Sequence, residues 1–412
     1  MSDTKHADKA KEGLQKIEWA KKHMPVLRSI EVDFKLHQPL KDVNIAVSIH
    51  LEAKTAYFCM VLAAGGANVY VTGSNPLSTQ DDVASALVTK GINVFAWYNA
   101  TAAEYINHLK SVLDGSPEII IDDGGDLVNL IHSDYQYLLE NIKGGCEETT
   151  TGIHRLKALD FIGELHLPMM LVNDAKSKHL FDNRYGTGQS VWDAINHTTN
   201  LIVASKTVVV AGYGWCGKGV AMRAKGLGAN VVITEIDAIK AVEAKMDGFG
   251  VLPMKKAAEI GDVFITVTGC KDVIPYDVML TMKDSAILCN AGHFNVEIAM
   301  DELEEKKVSK TPVRKNIMAY LLENNRTIHV LAQGRLVNLA AGDGHPVEIM
   351  DMSFSLQALC TQYINSHKLT KGIYDVPEEV DKEVAIRKLS SMDIEIDQLS
   401  EDQKNYINVH DY

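Results

Sequence analysis

From about residue 43 the chain alternates short apolar runs with stretches of helical period. Residues 43–48, 68–72, 92–96 and 118–122 are apolar or β-branched runs of strand length. Helices are predicted between them over 53–64, 81–90 and 102–113. This alternation predicts a doubly wound parallel sheet. Residues 9–35, rich in Lys and Glu, predict a lead-in surface helix. Residues 144–152 read as a loop that caps a helix over 153–159, and 169–172 read as a further strand.

The alternation resumes at 207–211, a buried strand running into Gly212-Tyr-Gly214-Trp-Cys-Gly217 and then a helix over 220–227. Gly212 permits a tight turn, Gly214 lets a pyrophosphate approach the backbone, and Gly217 lets helix and strand pack closely. Phosphates would sit on the free N–H groups at the helix start. The next strand, 230–234, ends in Glu235, where a carboxylate suits an adenosine ribose hydroxyl and favours NAD over NADP. Strands are also predicted over 262–268, 285–291 and 328–332, a charged helical stretch over 300–326, and an amphipathic helix over 347–366. The glycines of 181–188 read as a hinge, and 334–346 as a return to a loop.

The predicted fold class is α/β, with two doubly wound parallel-sheet, Rossmann-like domains and a small C-terminal helical segment. The substrate-binding domain is placed at 1–183, completed by 346–375. The NAD-binding domain is placed at 184–345, and an oligomerisation segment at 376–412.

Composition then narrows the function classes. Hydrophobic content of 46% and charged content of 23% are those of an ordinary globular protein. A net charge of −13 argues against nucleic acid and anionic membrane as partners. No apolar run is long enough to span a bilayer, and the N-terminus lacks the apolar run of a signal peptide. The six cysteines are scattered without metal-ligand spacing, so the reading is no metal, reduced thiols and a cytoplasmic protein.

In doubly wound sheets ligands lie beyond the carboxyl ends of the strands. Those ends carry His50, Glu52 and Lys54, then residues 72–76, then Asp122 to Asp126 with Asp123 among them, then Asn173 and Asp174 leading to Lys178, Asp182 and Asn183. Each alone reads as a solvated cap; their convergence predicts a polar site. Glu147, Glu148, Thr149, Thr150 and Thr151 read either as a helix cap or as a ribose cradle. His293 lies just past a strand end and His345 beside Pro346; a lone histidine is more often structural than catalytic.

Residues 75–82, 122–126, 147–152, 181–183, 212–214, 292–294, 333–338 and 344–346 together closely resemble the S-adenosyl-L-homocysteine hydrolase family, over essentially the whole length. The stretch from His50 to Thr55 resembles the archaeal and thermophilic branch that includes S-inosyl-L-homocysteine hydrolases. The resemblance implies a nucleoside thioether substrate whose ribose 3′-hydroxyl is transiently oxidised by NAD. The ketone acidifies the 4′-hydrogen, homocysteine leaves the 5′-carbon, water adds, and the ketone is reduced again.

It further implies Lys178, with Asp182, as base at the 3′-hydroxyl, a task calling for a lowered lysine pKa. Asn183 would position that lysine, and Asp123 and His50 would act at the 4′ and 5′ positions. Glu148 would hold the ribose, and His293 and His345 would close over the substrate. Thr149, Thr150, Thr151, Glu235 and Asn338 would contact NAD, and the assembly would be a homotetramer. Familiar members carry Thr and Glu where this chain has Glu52 and Lys54, the pair that reads the purine. Glu52 can accept from adenine's amino group, whereas Lys54, donor-only, suits a 6-oxo group. The sequence reading leans to the adenosyl substrate, with the inosyl substrate as its alternative. Thr187 and Lys240 stand where many members have Cys and Asn, and the C-terminus lacks the tail that reaches a neighbouring protomer in familiar members. Two rivals stand against this: a net-turnover dehydrogenase leaves the Glu147–Thr151 loop and the Lys178–Asp182 pair unexplained, and a non-catalytic NAD or nucleoside sensor calls for loss of Lys178, Asp182 or Asp123, all of which are present.

Overall fold

A computed structural model of the chain describes residues 2–408. Among the described residues, sixteen strands form two sheets of eight. The first contains β1 (Asp3–Thr4), β2 (Asn44–Ser48), β3 (Asn68–Thr72), β4 (Asn93–Ala96), β5 (Ile119–Asp122), β6 (Gly144–Glu147) and β7 (Pro168–Met170). The second contains β8 (Thr207–Ala211), β9 (Asn230–Thr234), β10 (Gly250–Val251), β11 (Val263–Thr266), β12 (Ala286–Asn290), β13 (Ser309–Arg314), β14 (Ile317–Leu321) and β15 (Thr327–Leu331). Late in the chain β16 (Gly372–Tyr374) returns to the first sheet beside β7.

The first sheet runs β1-β4-β3-β2-β5-β6-β7-β16 and is parallel throughout. The second runs β10-β9-β8-β11-β12-β15-β14-β13, parallel except for β14 and β13 at its edge. Each sheet therefore reverses its winding once, between β2 and β5 and between β8 and β11. A doubly wound sheet opens its ligand crevice at that reversal. The two-sheet α/β architecture is the one the hydrophobic pattern predicts.

Several local expectations are corrected. The lead-in stretch is two helices, Ala10–Lys22 and Pro25–His37, because Pro25 has no N–H to donate and starts the second. It is not peripheral: Ile17, Met24, Leu27, Ile30 and Phe34 belong to the first core. The loop expected at 144–152 begins as β6, a buried strand between β5 and β7. Its glycines conceal it, and crowding explains them. A Cβ on Gly145 would lie 2.4 Å from Ile120 Cγ1 and 2.6 Å from Met169 Sδ. The charged stretch after 300 is helical only over Met300–Lys306 and then forms the β13–β14 hairpin, whose fully exposed outer strand carries the charges. Such charge protects a sheet edge from pairing with another chain. Helix Val347–Ser366 is not amphipathic, since every residue from Met350 to Thr361 is buried.

The glycines expected to hinge near 186 lie in continuous helix, a π-helical turn over His179–Gly186 followed by Thr187–Thr199. A Cβ on Gly186 would meet His345 Nδ1 at 2.9 Å, and Gly188 packs closely on helix Trp215–Gly226. A Cβ on Gly188 would sit 2.6 Å from the Gly219 carbonyl, and one on Gly219 only 1.7 Å from the Arg184 carbonyl. Helix Glu378–Ser391 packs back on its own chain, with Val380 and Val384 in the first core and Arg387 on Asp33 at 2.7 Å. Of the C-terminus, residues 409–412 lie outside the described residues. No helix among the described residues is long and apolar enough to cross a membrane.

Candidate active site

The reversal in the first sheet assembles one half of the site. His50 follows β2 and Asp123 follows the adjacent β5, so His50 Nε2 lies 3.5 Å from Asp123 Oδ2. Ser78 donates its hydroxyl proton to the Asn75 carbonyl at 3.0 Å, leaving Ser78 Oγ to accept from His50 Nδ1 at 2.6 Å. The neutral ring therefore carries its proton on Nδ1 and presents a lone pair at Nε2. Burial pushes the His50 pKa down to about 4, against the pull of Asp123. Ser74 donates to Asp123 Oδ2 at 2.9 Å. Below them Asp122 and Glu147 are wholly buried, and Glu147 Oε1 accepts from the backbone N–H of Gly124 and Thr149. Burial raises both carboxyls, helped at Asp122 by the charges of Asp126 and Asp123 and at Glu147 by that of Asp122; Asp122 rises to about 7.

Lys178 sits in a second cluster. Its ammonium lies 3.1 Å from Asp182, 3.2 Å from Glu148 and 3.0 Å from Asn183 Oδ1, so all three protons have acceptors. Burial alone would lower the lysine pKa, but the two carboxylates outweigh it and hold the ammonium well above its usual range. The lowered value expected from its role is not found in the chain by itself. Asp182 is held far below the usual carboxylate range: burial, which raises it, is overcome by Lys178 and His345. Ser353 donates to Asp182 at 2.6 Å, His345 Nδ1 bonds its other oxygen, and Gln357 donates to Glu148 at 2.6 Å. Asn183 donates to Asn173, which donates to Thr150, each at 3.0 Å, tying the lysine to the start of helix Thr150–Phe161.

Glu52 and Lys54 are both buried at the start of helix Ala53–Ala64 and pair at 2.8 Å. The Glu52 carboxylate also accepts from Lys54 N and Thr55 N, while the Thr55 hydroxyl gives its one proton to the His50 carbonyl at 2.7 Å. Lys54 Nζ donates further to the Asp343 carbonyl at 3.2 Å. That bond, the His345–Asp182 contact and a 6.0 Å ring separation between His50 and His293 bring the second half over the first. Gly124, at φ 106°, leaves room for His293, whose Nε2 would be 3.2 Å from a Cβ there.

The second sheet supplies a fitting cofactor cradle. Gly212 turns at φ 101°, a Cβ on Gly217 would strike the Gly212 carbonyl at 2.0 Å, and Gly214 faces open space among the described residues. Glu235, at the end of β9, accepts from the backbone N–H of Tyr213 at the glycine-rich turn. Buried Asn338 donates to Ser190, while its Oδ1 has no partner among the described residues. A carboxamide N–H would satisfy that acceptor.

Two family profiles match the chain: "S-adenosyl-L-homocysteine hydrolase" over residues 2–137 and "S-adenosyl-L-homocysteine hydrolase, NAD binding domain" over 183–344. The S-inosyl-L-homocysteine hydrolase of Methanocaldococcus jannaschii is 57% identical over 399 residues, 96% of each chain. The chain belongs to the S-adenosyl-L-homocysteine hydrolase family. The adenosylhomocysteinase of Thermotoga maritima is 54% identical over 96% of this chain and 98% of that one. In fold alone it also resembles a dipicolinate synthase polypeptide of Bacillus halodurans, at 12% identity, TM-score 0.50, with 80% of this chain and all of that one covered. As a family member the protein is a hydrolytic enzyme that uses NAD.

The fold gathers His50, Asp123 and His293 into one group, Lys178, Asp182, Asn183, Glu148 and His345 into a second, and Glu52 with Lys54 into a third. Gly212, Gly214, Gly217 and Glu235 come together at the glycine-rich turn, Asn338 lies against Ser190, and Thr149, Thr150 and Thr151 lie at the start of a helix. Sequence reasoning did not single out Ser353 or Gln357, because they lie deep in a helix read as ordinary core. It gave no role to Ser78, although that residue lies in 75–82, one of the stretches that carry the resemblance.

Proposed function

We propose that this hydrolase cleaves, reversibly, the C5′–S thioether joining a purine nucleoside to L-homocysteine, through transient oxidation of the ribose 3′-hydroxyl. The observation that carries the reading is the buried Lys178 cluster, built beside the His50–Asp123 pair and closed over by the cofactor-binding half. Bound NAD supplies the redox chemistry that makes the 4′-hydrogen acidic. Glu148 accepts from a ribose hydroxyl, and Asn183 and Asp182 aim Lys178 at the 3′-oxygen. Lys178 takes up that proton only after passing one of its own to Glu148, 3.2 Å away, a loss that the positive charge of bound NAD would favour by opposing the ammonium. His50, with its lone pair at Nε2, and Asp123 move protons at the 4′-carbon, the departing sulfur and the entering water. Thr149, Thr150, Thr151, Glu235 and Asn338 hold the cofactor, and His293 and His345 shield the site from solvent.

Residues 1–183 with 346–375 make the substrate domain in this reading, 184–345 the NAD domain and 376–412 the oligomerisation segment. Exposed Ile236, Ile239, Val242 and Met246, around helix Ala238–Met246, form an apolar face that supports a homotetramer. The cytoplasm is the expected compartment.

S-adenosyl-L-homocysteine is the substrate to which the sequence leans, and one observation favours its inosyl counterpart. The Glu52 carboxylate accepts from three donors, Lys54 Nζ and the backbone N–H groups of Lys54 and Thr55, while Lys54 has one proton left to donate. A 6-oxo group accepts that proton, whereas a 6-amino group has no use for it and must take the one acceptor site left on Glu52. The test offers NAD-loaded enzyme homocysteine with inosine or with adenosine and measures thioether formation. At least tenfold preference for inosine supports the Lys54 reading, and the reverse preference refutes it. No reaction with either nucleoside refutes the hydrolase assignment for this chain.

A further inference from the structure

The lone pair that His50 presents at Nε2 faces a carboxylate oxygen of Asp123 at 3.5 Å, so two acceptors confront each other. Ser74 gives its one hydroxyl proton to that same oxygen, so the gap between ring and carboxylate calls for a shared cation or proton. A third acceptor completes the group: one donor atom each from His50, Asp123 and His293 lies within 4.8 Å of the others. Nothing in their spacing along the chain announces this, since the three come from the ends of β2, β5 and β12.

We propose that His50, Asp123 and His293 form a binding site for a zinc-class divalent cation that inhibits the enzyme by bridging its two halves. Two imidazoles and one carboxylate are a zinc ligand set, with the fourth position open to water. Metal–ligand distances of about 2.0–2.2 Å place tetrahedral ligands about 3.4 Å apart. The His50–Asp123 separation of 3.5 Å matches that spacing. Ser78, holding Nδ1–H at 2.6 Å, orients the ring as an outer partner of a metal-binding histidine does. His50 and Asp123 belong to the substrate half and His293 to the cofactor half, so one ion both fastens the halves together and removes the lone pairs that proton transfer needs. The inhibition, though not the binding, rests on the function proposed above.

The test uses full-length NAD-loaded protein, treated with chelator, desalted and titrated with Co2+ without substrate. One Co2+ per chain with the intense visible bands of a four-coordinate ion is the expected result, and Zn2+ should displace it. His293→Ala should abolish the bands, and Ser78→Ala should weaken binding about 10- to 100-fold. Absence of the bands, their persistence in His293→Ala, or thiolate-to-cobalt charge transfer placing the ion on exposed Cys270 would each overturn the site. In parallel, Zn2+ should suppress thioether formation at least tenfold and a chelator should restore it. Cobalt bands in a protein inactive toward both nucleosides would count against the proposed reaction and leave the site standing, whereas activity without bands would do the reverse.

Discussion

Gly219→Ala tests whether the helix crossing positions the catalytic residues. The added Cβ would start 1.7 Å from the Arg184 carbonyl oxygen and must reach at least 3.0 Å, so the two backbones must separate by about 1.3 Å. Arg184 lies on the π-helical turn that carries Asp182 and Asn183, and Gly219 on the helix that begins at the cofactor loop. Neither contact atom is a flexible side-chain end, so the strain cannot be relieved by a rotamer change. Overpacking of this kind costs roughly 1–3 kcal/mol of stability. A 1 Å misplacement of catalytic groups costs roughly 100-fold in rate. The assay is steady-state thioether synthesis, with bound NAD read by absorbance after desalting and thermal stability followed in parallel. The variant should lose about 100-fold in kcat/KM, melt earlier and retain less NAD. Gly226→Ala, on the same helix, is the control: nothing lies within 4 Å of its Cβ position among the described residues. It should keep full activity and gain up to about 1 kcal/mol. Wild-type activity and NAD retention in Gly219→Ala would refute the claim that this crossing sets the site.

Asp122 and Glu147, raised mainly by burial, hold protons in the fold that the unfolded chain releases above about pH 4. Their contribution to stability is full below that pH and is lost as pH rises through their folded values, near 7 for Asp122. The melting temperature should therefore fall less between pH 5 and 8 in Glu147→Gln, whose amide oxygen keeps the Gly124 and Thr149 bonds, than in wild type; equal slopes would contradict the assignment. Asp182→Asn removes the charge shared by Lys178 and His345 and should lower kcat about 100-fold or more while NAD stays bound, measured as turnover against cofactor content. Glu235→Gln should weaken NAD about tenfold through lost charge-assisted hydrogen bonding, read by titrating the cofactor-free enzyme; unchanged affinity would remove Glu235 from the ribose site.

The sequence carried what local patterns can carry. Strand-length apolar runs separated by helical periods announced two parallel sheets, and Gly212, Gly214 and Gly217 between a strand and a helix announced the cofactor cradle. The motifs around Asp123, Glu148 and Lys178 marked the polar edge of the first sheet, because parallel strands deliver their carboxyl ends to one side. Patterns failed where a neighbour distant in sequence sets the requirement. Gly145 reads as loop, yet Ile120 and Met169 force the strand there to carry no side chain. Gly186 and Gly188 read as hinge until His345 is set against the first and helix Trp215–Gly226 against the second. The same limit applies to charge. A lysine expected to be easily deprotonated is held protonated because Asp182 and Glu148 both close on it, and Ser353 and Gln357 reach those carboxylates from a helix whose sequence resembles plain core. Local sequence thus determined which elements form and which chemistry they bear. Only the tertiary structure decided which groups meet, since Coulomb and steric terms depend on distance through space and not along the chain.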